Sequence, residues 1–181
     1  YFLGNILAAR LYDECIKLFH NENAYEVFEQ LVKCGLLNYH FPQTEETSFI
    51  NITLLNTSKR IKSRKPVTPA FLFAVFVWET QNKRFNELNK KKKSRFLIMT
   101  QASEDVISKQ TEQVLMPRWL SARVKDIWLM QYQLENCSIK KAKELIGHPR
   151  FRMAYDFLVL RSESINPELI ERAKYWTKLQ Q

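Results

Sequence analysis

Glycine and proline are scarce in this chain, at 3 and 6 of 181 residues. Folds made of many tight hairpins need more of both, so the scarcity points to helices. The 3 cysteines, Cys15, Cys34 and Cys137, are odd in number and far apart. They form no Cys-x-x-Cys pair, which argues against a disulfide framework or a zinc site. Cys15 and Cys34 lie among apolar neighbours and read as small core residues. Aspartate occurs only at 13, 105, 126 and 156, and no two have the Asp-x-Asp spacing that holds a metal pair. Gly4, Gly35 and Gly147 are too sparse for a phosphate-cradling loop. None of His20, His40 and His148 has a His or Cys three or four residues on. No Gly-x-Ser-x-Gly elbow or Cys–His signature occurs. The apolar run Phe71 to Trp78 is far too short to span a bilayer.

What is present is a large apolar fraction and a strong positive charge. Hydrophobic residues make up 45% of the chain, enough for a real core. The formal net charge is +9, which favours polyanionic partners: RNA, DNA or an acidic membrane surface. The chain opens at Tyr1 inside an apolar stretch, with no Met and no basic flank, so it reads as a piece of a longer protein and not as a signal peptide. The cysteine usage fits a reducing compartment, and the cytoplasm is the expected one.

Helical periodicity recurs along the chain. Leu7, Leu11, Cys15, Leu18 and Phe19 share one face. Asn21 or Asn23 caps a second helix with Ala24, Val27, Phe28, Leu31 and Val32 as its stripe, and Gly35 suits its C-terminal stop. Together these predict an αα-hairpin. A third helix is expected within 46–63, ended by Pro66. Thr68-Pro69 starts a fourth, running from Ala70 to Thr80 or beyond and apolar nearly all round, as a central core helix is. Beyond Lys90-Lys91-Lys92-Lys93, a long helix or a broken pair leads to Pro117. The helix after it buries Val124, Ile127, Trp128, Gln131 and Leu134. Ile139 to Ile146 is a short helix. His148-Pro149 forms a corner into a helix with Phe151, Ala154, Tyr155, Leu158 and Val159 inward. Asn166-Pro167 opens the last, with Ile170, Ala173, Trp176 and Leu179 inward. The expected fold is all-α: a compact multi-helix body of αα-hairpins. The expected division is residues 1–45, the end of one helical segment, and 46–181, a helical C-terminal domain.

No catalytic and no metal-ligating residue is assigned. Phosphate backbones reward clustered cations, since each neutralised phosphate releases counterions. The candidate RNA-binding residues are Lys59, Arg60 and Lys62, then Arg118, Arg123 and Lys125, then Arg150 and Arg152. The last two groups sit near expected helix starts, where backbone N–H groups also attract anions. Arg152 is also spaced to pair with Asp156 at i+4. The tetralysine reads either as a solvated run or as a phosphate contact. Trp119, beside Arg118, breaks the apolar pattern and reads as a base-stacking ring or a packed surface indole.

Several tracts carry a family pattern. They include Leu115-Met116-Pro117-Arg118, Ser121-Ala122-Arg123-Val124-Lys125-Asp126-Ile127-Trp128 and His148-Pro149-Arg150-Phe151-Arg152-Met153-Ala154-Tyr155-Asp156-Phe157-Leu158. Earlier come Ala9-Arg10-Leu11-Tyr12-Asp13-Glu14, Gly35-Leu36, Phe41-Pro42 and Val67-Thr68-Pro69-Ala70-Phe71. In this order they resemble the C-terminal helical region of bacterial poly(A) polymerases, in the class II nucleotidyltransferase superfamily. The resemblance implies an enzyme that adds adenylates from ATP to RNA 3′ ends, with paired Mg²⁺ in an N-terminal head. It implies that this chain holds the RNA-binding body without catalytic residues or cofactor of its own. RNA 3′ ends are then the expected partner, with RNA-decay proteins as a further class and no membrane. The family often has two basic residues after the proline at 117, and here the second is Trp119. Two alternatives stand beside this reading: the body of a CCA-adding tRNA nucleotidyltransferase, and a helical scaffold that binds proteins.

Overall fold

The computed structural model describes residues 2–89, 94–114 and 116–180, and every regular element among them is helical. The tetralysine Lys90 to Lys93 and Leu115 lie outside the described residues, as do the side chains of Leu7, Leu11, Ile139 and Lys140. The order is α1 Phe2–Phe19, α2 Ala24–Lys33, α3 Leu37–His40, α4 Ser48–Lys62, α5 Pro69–Phe76, α6 Trp78–Leu88, α7 Arg95–Gln113, α8 Arg118–Asn136, α9 Ile139–Ile146 and α10 Phe151–Ser164. A 3₁₀ turn at Pro167–Leu169 then leads to α11 Ile170–Leu179.

The hairpin of α1 and α2 forms as its sequence predicts. Gly35 ends α2 at φ 69°, with its N–H on the Val32 carbonyl and the Leu36 N–H on Leu31. This is a Schellman stop. The stop of α4 has the same pattern, Arg64 N–H to Ile61 and Lys65 N–H to Arg60, but the left-handed residue is Arg64 at φ 55°. An L side chain there costs about 1–2 kcal/mol that glycine avoids.

The apolar helix α5 lies at the centre, as its lack of a polar face requires. Its Phe73 and Phe76 gather Phe19, Phe28 and Phe41, with ring centroids 4.8–6.0 Å apart across four of these pairs. Phe157 of α10 meets Phe49, Phe71 and Trp78 edge-on in the same core. The expected single helix from Ala70 past Thr80 is instead two helices, broken at Val77 with φ −110°. The Ala74 carbonyl near this break accepts the Trp128 indole N–H at 3.1 Å, which ties α5 to α8.

A second cluster joins the C-terminal half of α8 to α9, α10 and α11 around Trp176. Trp176 Nε1 and Arg172 Nε both donate to the Leu134 carbonyl, at 2.9 and 2.6 Å, and Arg172 Nη2 reaches the Cys137 carbonyl at 2.6 Å. These donors satisfy carbonyls that helix ends leave open. Between the two clusters lies Arg161, only 5% exposed. It donates to Glu135 at 2.8 Å, to Gln131 at 3.2 Å and twice to the Asn166 side chain, and its guanidinium sits 4.4 Å from the Trp78 ring centroid. Burial lowers its pKa, against the pull of Glu135.

Three finer expectations differ from the structure. Cys34 is exposed as the residue that caps the C-terminus of α2, while Cys15 is buried with its thiol pushed up to about 12 by burial. Ile170 and Leu179 are 37% and 38% exposed, because at 100° per residue they fall on opposite flanks of the face that buries Ala173 and Trp176. Asn166 does not cap with its side chain: it accepts from Arg161 instead. Among the described residues no helix is long and apolar enough to cross a membrane.

Candidate nucleic-acid interface

A groove of about 610 Å³ runs between α4, the 66–68 link, the first turns of α8, and α10. Four of the eight sequence candidates line it: Arg60, Arg123, Arg150 and Arg152. They come from three separate helical segments and converge because of helix phase. On α4, Thr53, Asn56, Thr57 and Arg60 follow the three-and-four spacing of one face. On α10, Arg152, Asp156, Val159, Leu160 and Glu163 do the same. Phe71, Met153, Val159 and Leu160 give the groove apolar wall.

The other four candidates lie off the groove. Lys59 and Lys62 are exposed on other faces of α4, about 100° and 160° around the axis from Arg60 at 100° per residue. Arg118 is exposed at the start of α8, and Lys125 turns to α7, where its ammonium is 3.4 Å from Glu104. Both point away from the face that carries Arg123.

The arginines are held by local contacts. Arg60 Nε and Nη2 donate to the Pro66 carbonyl at 3.3 and 3.0 Å, folding the link back over the end of α4. Arg150 is 3.2 Å from Asp126 of α8, and its N–H donates to His148 Nδ1 at 3.1 Å, so His148 serves the α9–α10 corner. Arg152 pairs with Asp156 at 3.2 Å, the i+4 pair that the spacing predicts. Arg123 lies 5.2 Å from the Trp119 ring centroid. Burial raises the Asp156 pKa, opposed by Arg152 and Arg60.

Four guanidiniums and two carboxylates, Asp156 and Glu163, therefore line the groove. Each guanidinium is a planar fork that fits phosphate oxygens in pairs. Thr53, Asn56, Thr57 and Thr68 add neutral donors and acceptors to the same walls. A charge reading alone finds the arginines. It misses Thr53, Asn56, Phe71 and Met153, although the helical spacing of 53, 56, 57 and 60 is visible in the sequence. Among the described residues no three His, Cys, Asp or Glu side chains group as a metal site requires.

Fold and groove together define an all-helical body with four arginines gathered along one groove. A family model described as the arginine-rich C-terminus of polymerase A matches residues 91–181, and a second, described as a probable RNA and SrmB binding site of polymerase A, matches residues 1–47. Poly(A) polymerase I of Salmonella typhimurium and that of Escherichia coli O157:H7 are each 33% identical over 193 aligned residues. The Haemophilus influenzae enzyme of the same name is 31% identical over 189. Each alignment covers 98% of this chain but only 41–42% of the relative. The chain belongs to the bacterial poly(A) polymerase family, and it matches the helical C-terminal region of that family.

Proposed function

We propose that this chain is the RNA-holding body of a poly(A) polymerase, guiding RNA 3′ ends for template-independent adenylate addition from ATP. The catalytic head that the family resemblance implies, with its Mg²⁺, supplies the chemistry. The residues here supply position. The observation that carries this reading is the convergence of Arg60, Arg123, Arg150 and Arg152 on one groove. We propose these four as backbone contacts, with Lys59, Lys62, Arg118 and Lys125 as flanking charge. The division at 45/46 belongs to the same proposal, the first segment joining the body to the head. RNA-decay proteins are a second class of partner, and the cytoplasm is the compartment.

Fluorescence anisotropy with labelled single-stranded RNA tests the reading. Arg60→Ala with Arg150→Ala weakens binding to oligo(A) and oligo(U) alike, because backbone contacts carry no base preference. Lys59→Ala with Lys62→Ala weakens it less. Equal losses from the two pairs would show that the groove has no special part in binding.

A further inference from the structure

Single-strand binding surfaces pair a cationic track with aromatic rings on which bases stack. Most rings near the groove are already engaged. Phe71 is edge-on to Phe157, and Tyr155 is buried, stacked on Phe151, with its hydroxyl bonded to Thr177. Trp78, Trp128 and Trp176 are buried in the two cores. Trp119 differs: it is 48% exposed on the first turn of α8. One face of its indole carries the Arg123 guanidinium, and Arg123 itself lines the groove. Trp119 thus stands one side chain beyond the arginine track, on the same face of α8 as Arg123, with exposed Arg118 next to it in sequence. A ring covered on one side and still half exposed offers its remaining face and rim to solvent. An exposed indole beside guanidiniums fits a flat, anion-linked ligand better than an apolar protein surface, since the arginines would then be desolvated without a counter-charge.

We propose that Trp119 is a stacking platform for an unpaired base of an RNA strand whose phosphates lie on Arg123 and the groove arginines. The inference rests on the RNA-holding reading and adds a base contact to it. The base is held by its π-face, so the contact is tolerant of sequence.

The test uses the 181-residue chain, oligo(A), and an abasic strand of the same length. Trp119 is the exposed member of 4 tryptophans, so quenching of accessible emission reports on it. Oligo(A) is expected to shield wild-type emission from acrylamide in a saturable way, and the abasic strand is not. Trp119→Ala weakens oligo(A) binding by about 5- to 150-fold, the range of one base–aromatic stack, and leaves abasic binding unchanged. Trp119→Phe restores most of the loss. Equal affinity of Trp119→Ala and wild type for oligo(A), with the groove variants impaired, would overturn the platform and leave the RNA reading standing. An equal loss on both strands would also overturn it. If the groove variants bind like wild type as well, the RNA reading itself fails. Circular dichroism confirms that both Trp119 variants fold.

Discussion

Replacing Arg161 with methionine tests the junction between the two cores. Methionine keeps much of the apolar stem but removes every donor. The Gln131 carbonyl oxygen, in a buried side chain, then loses its arginine partner at a cost of about 1–3 kcal/mol. Loss of the cation over Trp78 adds about 0.5–2 kcal/mol. Glu135 adds little, because its side chain is 29% exposed and can turn to water. Relief of the buried guanidinium offsets part of the total, the same desolvation that lowers the Arg161 pKa. A net loss of about 3 kcal/mol follows, equivalent to a fall in Tm of about 6–12 °C for a chain of this size. Thermal and urea unfolding by circular dichroism measure it. A loss below about 0.5 kcal/mol, the level of a neutral surface change, would refute the idea that Arg161 fastens α6, α8 and α10.

Other expectations concern single sites. Arg64→Gly relieves the left-handed strain at the end of α4 and raises stability by about 1 kcal/mol. Gly35→Ala lowers it by a similar amount, although a Cβ there meets nothing within 4 Å, because the loss is conformational; unfolding curves that move the other way would contradict both. A maleimide labels exposed Cys34 in the native chain and spares Cys15, buried and with its thiol near 12, until denaturant is added; early labelling of Cys15 in a peptide map would argue against the core placement. Asp156 has a folded pKa above 3.8, so the fold favours its protonated form: its contribution to stability is complete below the unfolded pKa and is lost as pH rises through the folded one. Asp156→Asn fixes the neutral state, so it strengthens RNA binding at neutral pH and flattens the gain that wild type shows as pH falls toward that pKa. Parallel pH profiles would count against it.

Much of the fold is legible in the sequence because helix stops and apolar stripes are local signals. Gly35, Pro66, Pro69, Pro117 and Pro149 lie at or near helix ends, and the stripe of α8 from Val124 to Leu134 is buried as its spacing predicts. The break at Val77 is not legible: Phe71 to Trp78 is apolar throughout, and only packing against α8 and α10 selects where the helix bends. The exposure of Ile170 and Leu179 is, by contrast, implicit in their spacing, which sets them on opposite flanks of α11. At the groove, charge marks the clusters but not the choice within each. Arg60 faces in while Lys59 and Lys62 face elsewhere, and that selection comes from the 100° step between neighbours once α4 is seated on α5 and α10. The role of Arg161 depends on partners distant in sequence, Gln131 on α8 and Trp78 on α6, and gives no local sign.

We propose that arginines from separate helices act on one strand of phosphates. The most direct test is the salt dependence of single-stranded RNA affinity, measured for wild type and for the variant lacking Arg60, Arg123, Arg150 and Arg152. Each phosphate contact contributes about 0.7 to the slope of log affinity against log salt. The slope is predicted to fall by about three in the variant. An unchanged slope would place the binding charge elsewhere and contradict the account.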